Sequence, residues 1–322
     1  GSHLLAWNPA PLAHGMLSDA GDPVVAGIDN KEMKPAAAPV AGNPFNTFVA
    51  GNVVLAQNFS QGDQPHSDST TGGVQLGADY RVTPHLRVGA LFSFQHTDAD
   101  LDNTGSKATV DTYAPGVYAS FADHGWYANV IGSYGFNSFT EDRHIGIAGL
   151  SAVAHGAPSG DQIVGDLDGG YDFHVKNWTF GPLAGVQYTH LDVNAFSEDG
   201  AESLGGNESV NKVEADSLRS RVGGHVAYVF QTGKVLLTPH LDASWQHEFM
   251  NSAEAINAQI AGFGGATFPT LTVNPSRDSA LLDCGLDADL NGQISIFGDY
   301  LVQAGQSNYF GQSVQAGVKV GF

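Results

Sequence analysis

His96 and Asp98 stand two residues apart, as do His190 and Asp192, and on an extended backbone such neighbours share a face. An imidazole beside a carboxylate is how a general base is oriented, so each pair is a candidate for peptide- or phospholipid-cleaving chemistry. Both pairs, however, continue the apolar faces of their segments, which places them at a lipid headgroup rim. His247-Glu248 begins like a helical zinc motif, but Asn251 stands where the second histidine is needed. Asp287-Ala288-Asp289-Leu290-Asn291-Gly292 copies the first half of a calcium loop, yet its twelfth position is Gly298, and the Asn-Gly pair reads better as a hairpin turn. Asp98, Asp100 and Asp102 read as a solvated acidic loop. No catalytic step, cofactor or metal site is expected.

The elements that carry these residues alternate at period two. Val74, Leu76, Ala78, Tyr80 and Val82 oppose Gly73, Gln75, Gly77, Asp79 and Arg81, and Leu86, Val88, Ala90, Phe92 and Phe94 oppose Arg87, Gly89, Leu91, Ser93 and Gln95. Twelve such runs follow one another, near 46–59, 70–82, 85–98, 107–122, 125–140, 161–174, 177–192, 213–230, 234–249, 277–290, 292–303 and 309–322. Tight turns alternate with longer polar loops near 60–69, 99–106, 141–160, 193–212 and 250–276.

Strand length separates a soluble sandwich from a membrane barrel. Soluble strands average about five or six residues, whereas a tilted strand crossing hydrocarbon needs roughly nine to eleven. These runs are longer still, and their second face is Gly, Ser, Thr, Gln, Asn, Asp and Arg instead of the Lys and Glu of a surface bathed in bulk water. Backbone groups in lipid must all pair, which strands achieve only by closing. The expectation is an all-β transmembrane barrel of twelve antiparallel strands in a bacterial outer membrane, monomeric, with short turns in the periplasm and aromatic girdles at both interfaces.

The same parity sorts the charges. Asp79, Arg81, Arg87, Asp166, Asp168, Asp172, Arg219, Arg221, Asp242, Glu248, Asp283, Asp287 and Asp299 are expected in the lumen, where buried charges must pair to stay charged. Cys284, the one cysteine, has outward parity between Leu282 and Leu286, and no intrachain disulfide can form. A formal net charge of −20 from 13 Lys+Arg and 33 Asp+Glu leaves no basic cluster for phosphates and excludes nucleic acid as a partner.

Residues 1–3 read as a tag remnant, so the chain is expected to come from something longer; 4–45 read as a linker broken by Pro9, Pro11, Pro23, Pro35, Pro39 and Pro44, and 46–322 as the barrel. Between Pro23 and Pro35, residues 24–34 leave room for an unbroken helix of roughly 16 Å against a hydrocarbon core of about 30 Å. A short helix plus extended chain is expected in the pore, with Lys31 and Lys34 drawn to the inward carboxylates.

The order and spacing of Thr71-Gly72-Gly73-Val74-Gln75-Leu76-Gly77-Ala78-Asp79-Tyr80-Arg81, Arg87-Val88-Gly89-Ala90, Thr109-Val110-Asp111-Thr112-Tyr113, Gly116-Val117-Tyr118-Ala119-Ser120, Arg143, Trp245-Gln246-His247-Glu248-Phe249 and the terminal Phe322 resemble the translocator domain of bacterial autotransporters, the type V secretion proteins. The resemblance covers 46–322. It implies a barrel that lets an N-terminal passenger reach the cell surface, embedded in lipid and lipopolysaccharide. It also implies a last strand whose Val314, Ala316, Val318, Val320 and Phe322 form the signal read by the barrel assembly machinery. Neither Asn30 nor Asn43 sits in a linker-cleavage motif, so that activity is not carried over. The alternative is a self-standing surface barrel, a pore or an adhesin working through its loops.

Overall fold

The computed structural model describes residues 44–59, 66–101, 105–147, 149–250, 255–260, 268–271, 276–290, 292–307 and 309–322. Residues 4–43 of the expected linker, with Lys31 and Lys34, lie outside the described residues, and Phe45, the expected end of the linker, already belongs to the first strand. Twelve strands form the wall: β1 (Phe45–Asn58), β2 (Ser67–Thr83), β3 (Leu86–Leu101), β4 (Ser106–Asp123), β5 (Trp126–Ile147), β6 (Ser159–Tyr171), β7 (Trp178–Val193), β8 (Val213–Tyr228), β9 (Val235–Glu248), β10 (Asp278–Asp289), β11 (Ile294–Ala304) and β12 (Tyr309–Gly321). Each pairs antiparallel with its neighbours in sequence, and β1 pairs with β12 from Asn46↔Gly321 to Asn58↔Tyr309, so the sheet closes without a free edge.

Alternation fixes which face looks out. Val49 (60% exposed), Val117 (65%) and Leu282 (48%) belong to a belt of exposed aliphatic side chains around the cylinder, while Gln75, Asn129, Gln187 and Gln315 are buried inside it. An apolar belt of that extent has no place in water and fits a hydrocarbon layer. Cys284 is exposed on the outer face. At the end with the short turns, rings touch in series: Trp126 and Tyr171 at 5.0 Å, Tyr171 and Phe173 at 4.8 Å, and Trp178 and Tyr228 at 4.7 Å between centroids. Amphipathic rings in that position mark a membrane interface.

Both ends of the wall sequence reach this same face, where the Phe322 N–H donates to the Phe45 carbonyl at 2.9 Å. The turn between β4 and β5 places His124 at φ 50 and Gly125 at φ 86, the two left-handed residues of a tight hairpin matched to strand twist.

The far ends depart from the sequence reading. The segments at 99–106 and 141–160 contain strand where loop is expected: β3 and β4 run to Leu101 and from Ser106, and β5 continues to Ile147, folding back through Leu150–Gly156. Pairing of β5 with β6 stops at Ser138↔Ser159, while β4 stays beside β5 as far as Lys107↔Asp142, so the hairpin extends the wall on that side. Above it, Phe196–Ser197, Glu208–Val210, Ala255–Ile260 and Phe268–Leu271 form a separate four-stranded sheet. Outside lipid neither face need be apolar, and cross-strand charge takes over from apolar alternation, as in Lys107–Asp100 at 3.2 Å and His155–Asp142 at 2.6 Å.

Candidate functional site in the lumen and outer rim

Rows of residues that face each other across neighbouring strands share a device: a glycine in the middle strand lets two long side chains meet above it. Asp79, Gly89 and Tyr118 form one row, and the Tyr118 hydroxyl donates to Asp79 Oδ2 at 3.1 Å. Asp168, Gly185 and Arg221 form a second, with Arg221 Nη2 at 3.5 Å from Asp168 and 3.8 Å from Asp166. His240, Gly285 and Asp299 form a third, bridged at 3.0 Å. A side chain in place of any of these glycines would occupy the space where the partners meet.

The lumen charges sit as follows. Asp79, with no exposed side-chain surface, receives Arg87 at 2.9 Å, Asn46 at 2.7 Å and, more distantly, Lys319 at 3.9 Å. Glu248 accepts from Arg219 Nε at 2.8 Å, Ser217 Oγ at 2.5 Å and the Leu218 N–H at 2.9 Å. Asp172 meets His225 at 2.8 Å. Asp242, Asp283, Asp287 and Asp299 line β9 to β11, where His240 is the one basic side chain facing inward among the described residues. Arg81 is different. It pairs with Arg87 and so keeps lumen parity, but it is exposed because it sits at the turn end of β2, where residues 81–85 are all exposed. Parity placed Lys319, His225 and His240 inward as well, but the sequence reading did not single them out.

The candidate base pairs lie outside, near the long-loop rim. His96 Nδ1 is 2.7 Å from Asp111 and its Nε2 is 3.4 Å from Asp98. His190 meets Asp216 of β8 at 2.9 Å instead of Asp192, which takes Lys212 at 2.7 Å. The reason is register: the facing strand brings its carboxylate closer than the same strand does. His247 and Glu248 point to opposite faces, His247 to Asp278 at 2.8 Å and Glu248 into the lumen.

Above the wall, Arg143 is buried among three carboxylates. It makes a two-pronged contact with Glu198, through Nε at 2.8 Å and through Nη2, and reaches Glu208 at 3.3 Å and the Gly206 carbonyl at 2.7 Å. This fork anchors the β5 hairpin to the 196–210 segment. Glu141 is the acid left over. Burial pushes its carboxyl up to about 8, the Glu198 charge adds to the rise and Arg143 opposes it.

An unfolded glutamate titrates near 4.5, so between that pH and about 8 the folded state binds more protons and stability falls as pH rises. Glu141→Gln is therefore expected to slow amide exchange in residues 139–156 at a pH above 8 and to change little below 4.5. Equal protection at both pH values would contradict the burial of that acid.

A closed strand cylinder with an aliphatic exterior, a polar charge-paired interior and an aromatic girdle is a transmembrane barrel of the bacterial outer-membrane kind. The chain belongs to the autotransporter family: the model described as autotransporter beta-domain matches residues 49–301. The translocator domain of the autotransporter NalP from Neisseria meningitidis superposes with a TM-score of 0.71 at 15% identity, over 98% of this chain and 99% of that one. The β domain of the Bordetella autotransporter BrkA gives a TM-score of 0.64 at 18% identity, over 87% and 100%. An extracellular serine protease of Serratia marcescens is 25% identical over 269 residues, 80% of this chain and 25% of that protein. The chain thus spans about a quarter of that relative's length. What matches is the non-catalytic translocator barrel of this family.

Proposed function

We propose that this barrel supports export of a passenger carried N-terminal to residue 4, with residues 4–45 as the linker through the pore and 46–322 as the translocator. The observation that carries this is the asymmetric lumen. Phe48, Leu91, Tyr118, Ile131 and Val164 form an apolar patch on one wall, and the carboxylates of β9 to β11 line another. A linker that carries Val24, Val25 and Ile28 and, further along the sequence, Lys31 and Lys34 has complementary chemistry for both. The paired lumen charges are then structural, and the carboxylates on β9 to β11 attract the linker.

On the same reading, Val314, Ala316, Val318, Val320 and Phe322 present the outward signal to the barrel assembly machinery. The rim histidine–aspartate pairs face lipopolysaccharide, and the barrel works as a monomer. Display on cells tests the export reading. A small reporter domain fused ahead of residue 4 is expected to become sensitive to added protease on intact cells; a reporter that stays protected while the barrel shows heat-modifiable migration would refute export. Removal of residues 4–44 is expected to raise single-channel conductance in planar bilayers, and unchanged conductance would exclude the linker from the pore.

A further inference from the structure

We infer that the wall formed by β9, β10 and β11 holds a divalent-cation site made by His240, Asp283 and Asp299. One donor atom from each of the three lies within 4.8 Å of the others, a spacing that a modest closure brings to metal–ligand geometry. The donor set mixes one imidazole nitrogen with carboxylate oxygens, which suits a borderline first-row ion such as zinc better than magnesium or calcium.

Three features go beyond a cluster of acids. Gly285 sits between His240 and Asp299 in their cross-strand row, and any β-carbon there would fall on His240 Nε2 and Asp299 Oδ1, so the backbone is cut away where an ion would rest. The Asp299 side chain is only 5% exposed; its Oδ1 faces His240 Nε2, and its Oδ2 is buried without a hydrogen-bond partner. His240 Nδ1 lies 3.7 Å from Asp287 Oδ2, beyond hydrogen-bond distance but near enough for that carboxylate's charge to favour the proton on Nδ1. On binding, the proton on Nε2 leaves to solvent, the Nε2 lone pair takes the ion, and the Nδ1 proton stays toward Asp287.

The site is tested by titrating zinc chloride into the detergent-refolded chain by calorimetry. A single saturable equivalent is expected, with proton release seen as a dependence of the heat on buffer ionisation. His240→Gln and Asp299→Asn are each expected to weaken binding roughly a hundredfold. The triple variant His96→Gln, His190→Gln, His247→Gln, which removes rim histidines, is expected to keep that equivalent. X-ray absorption at the zinc edge of the unsubstituted chain gives the ligand set independently of any variant's folding: one imidazole with oxygen neighbours at about 2.0–2.2 Å. Absence of saturable binding, two or more imidazoles around zinc, or loss of binding in the rim variant would each overturn the proposal.

Discussion

Arg87→Ala is expected to destabilise the folded barrel by about 3–5 kcal/mol, because it leaves Asp79 charged and buried beside a weaker partner. Asp79 has no exposed side-chain surface, and its closest ion-pair contact is Arg87 Nη1 at 2.9 Å, whereas Lys319 stands 3.9 Å away. The Tyr118 and Asn46 donors remain, but two neutral hydrogen bonds do not replace a guanidinium. The measurement is urea unfolding in lipid vesicles, followed by tryptophan fluorescence and by heat-modifiable migration on gels. Asp79→Asn in the same chain should restore most of the loss, since the cost comes from the unpaired charge. If Arg87→Ala alone unfolds at the wild-type midpoint, the lumen pairing is wrong.

The second large effect is at the seam. Gly317 of β12 faces Phe297 across to β11, and a Cβ there would meet the Phe297 ring, with Cε1 at 2.7 Å, and the Val49 carbonyl of β1, also at 2.7 Å. Gly317→Val forces either the ring or the β1–β12 closure to move, an overpacking cost of about 1–3 kcal/mol. Phe297→Ala added to it should recover the ring's share and not the backbone's. The expected result is a lower yield of folded barrel for Gly317→Val and partial recovery in the double variant. Equal yields for the wild type and Gly317→Val would contradict the close approach at this seam.

The sequence made the twelve strands legible because the outward positions stay apolar through the middle of each strand, as a lipid exterior demands, while the inward positions are mostly small or polar with an apolar patch at Phe48, Leu91, Tyr118, Ile131 and Val164. It was silent on partners. Parity puts His190 and Asp192 on one face, but Asp216 meets His190 because pairing of β7 with β8 sets the distance, and register leaves no mark in alternation. Alternation is equally silent on depth: Arg81 shares the register row of the buried Arg87 yet is exposed, because it stands at the turn end of its strand. The strands beyond the bilayer were hidden because their apolar face is short and made of small residues: Leu150, Ala152 and Ala154 alternate over a few positions only, yet Leu150–Gly156 pairs with β5 from Ile147↔Leu150 to Glu141↔Gly156.

The central claim is a wall with one face in lipid and the other in a wet lumen. Nitroxide labels on single cysteines at positions 313 to 316 and 318 to 320, introduced into the Cys284→Ser chain in lipid bilayers, test it position by position. Collisions with oxygen should peak at positions 314, 316, 318 and 320, and collisions with a water-soluble nickel complex at 313, 315 and 319. Uniform access of the nickel complex along that stretch, in protein that still shows folded migration, would contradict the barrel.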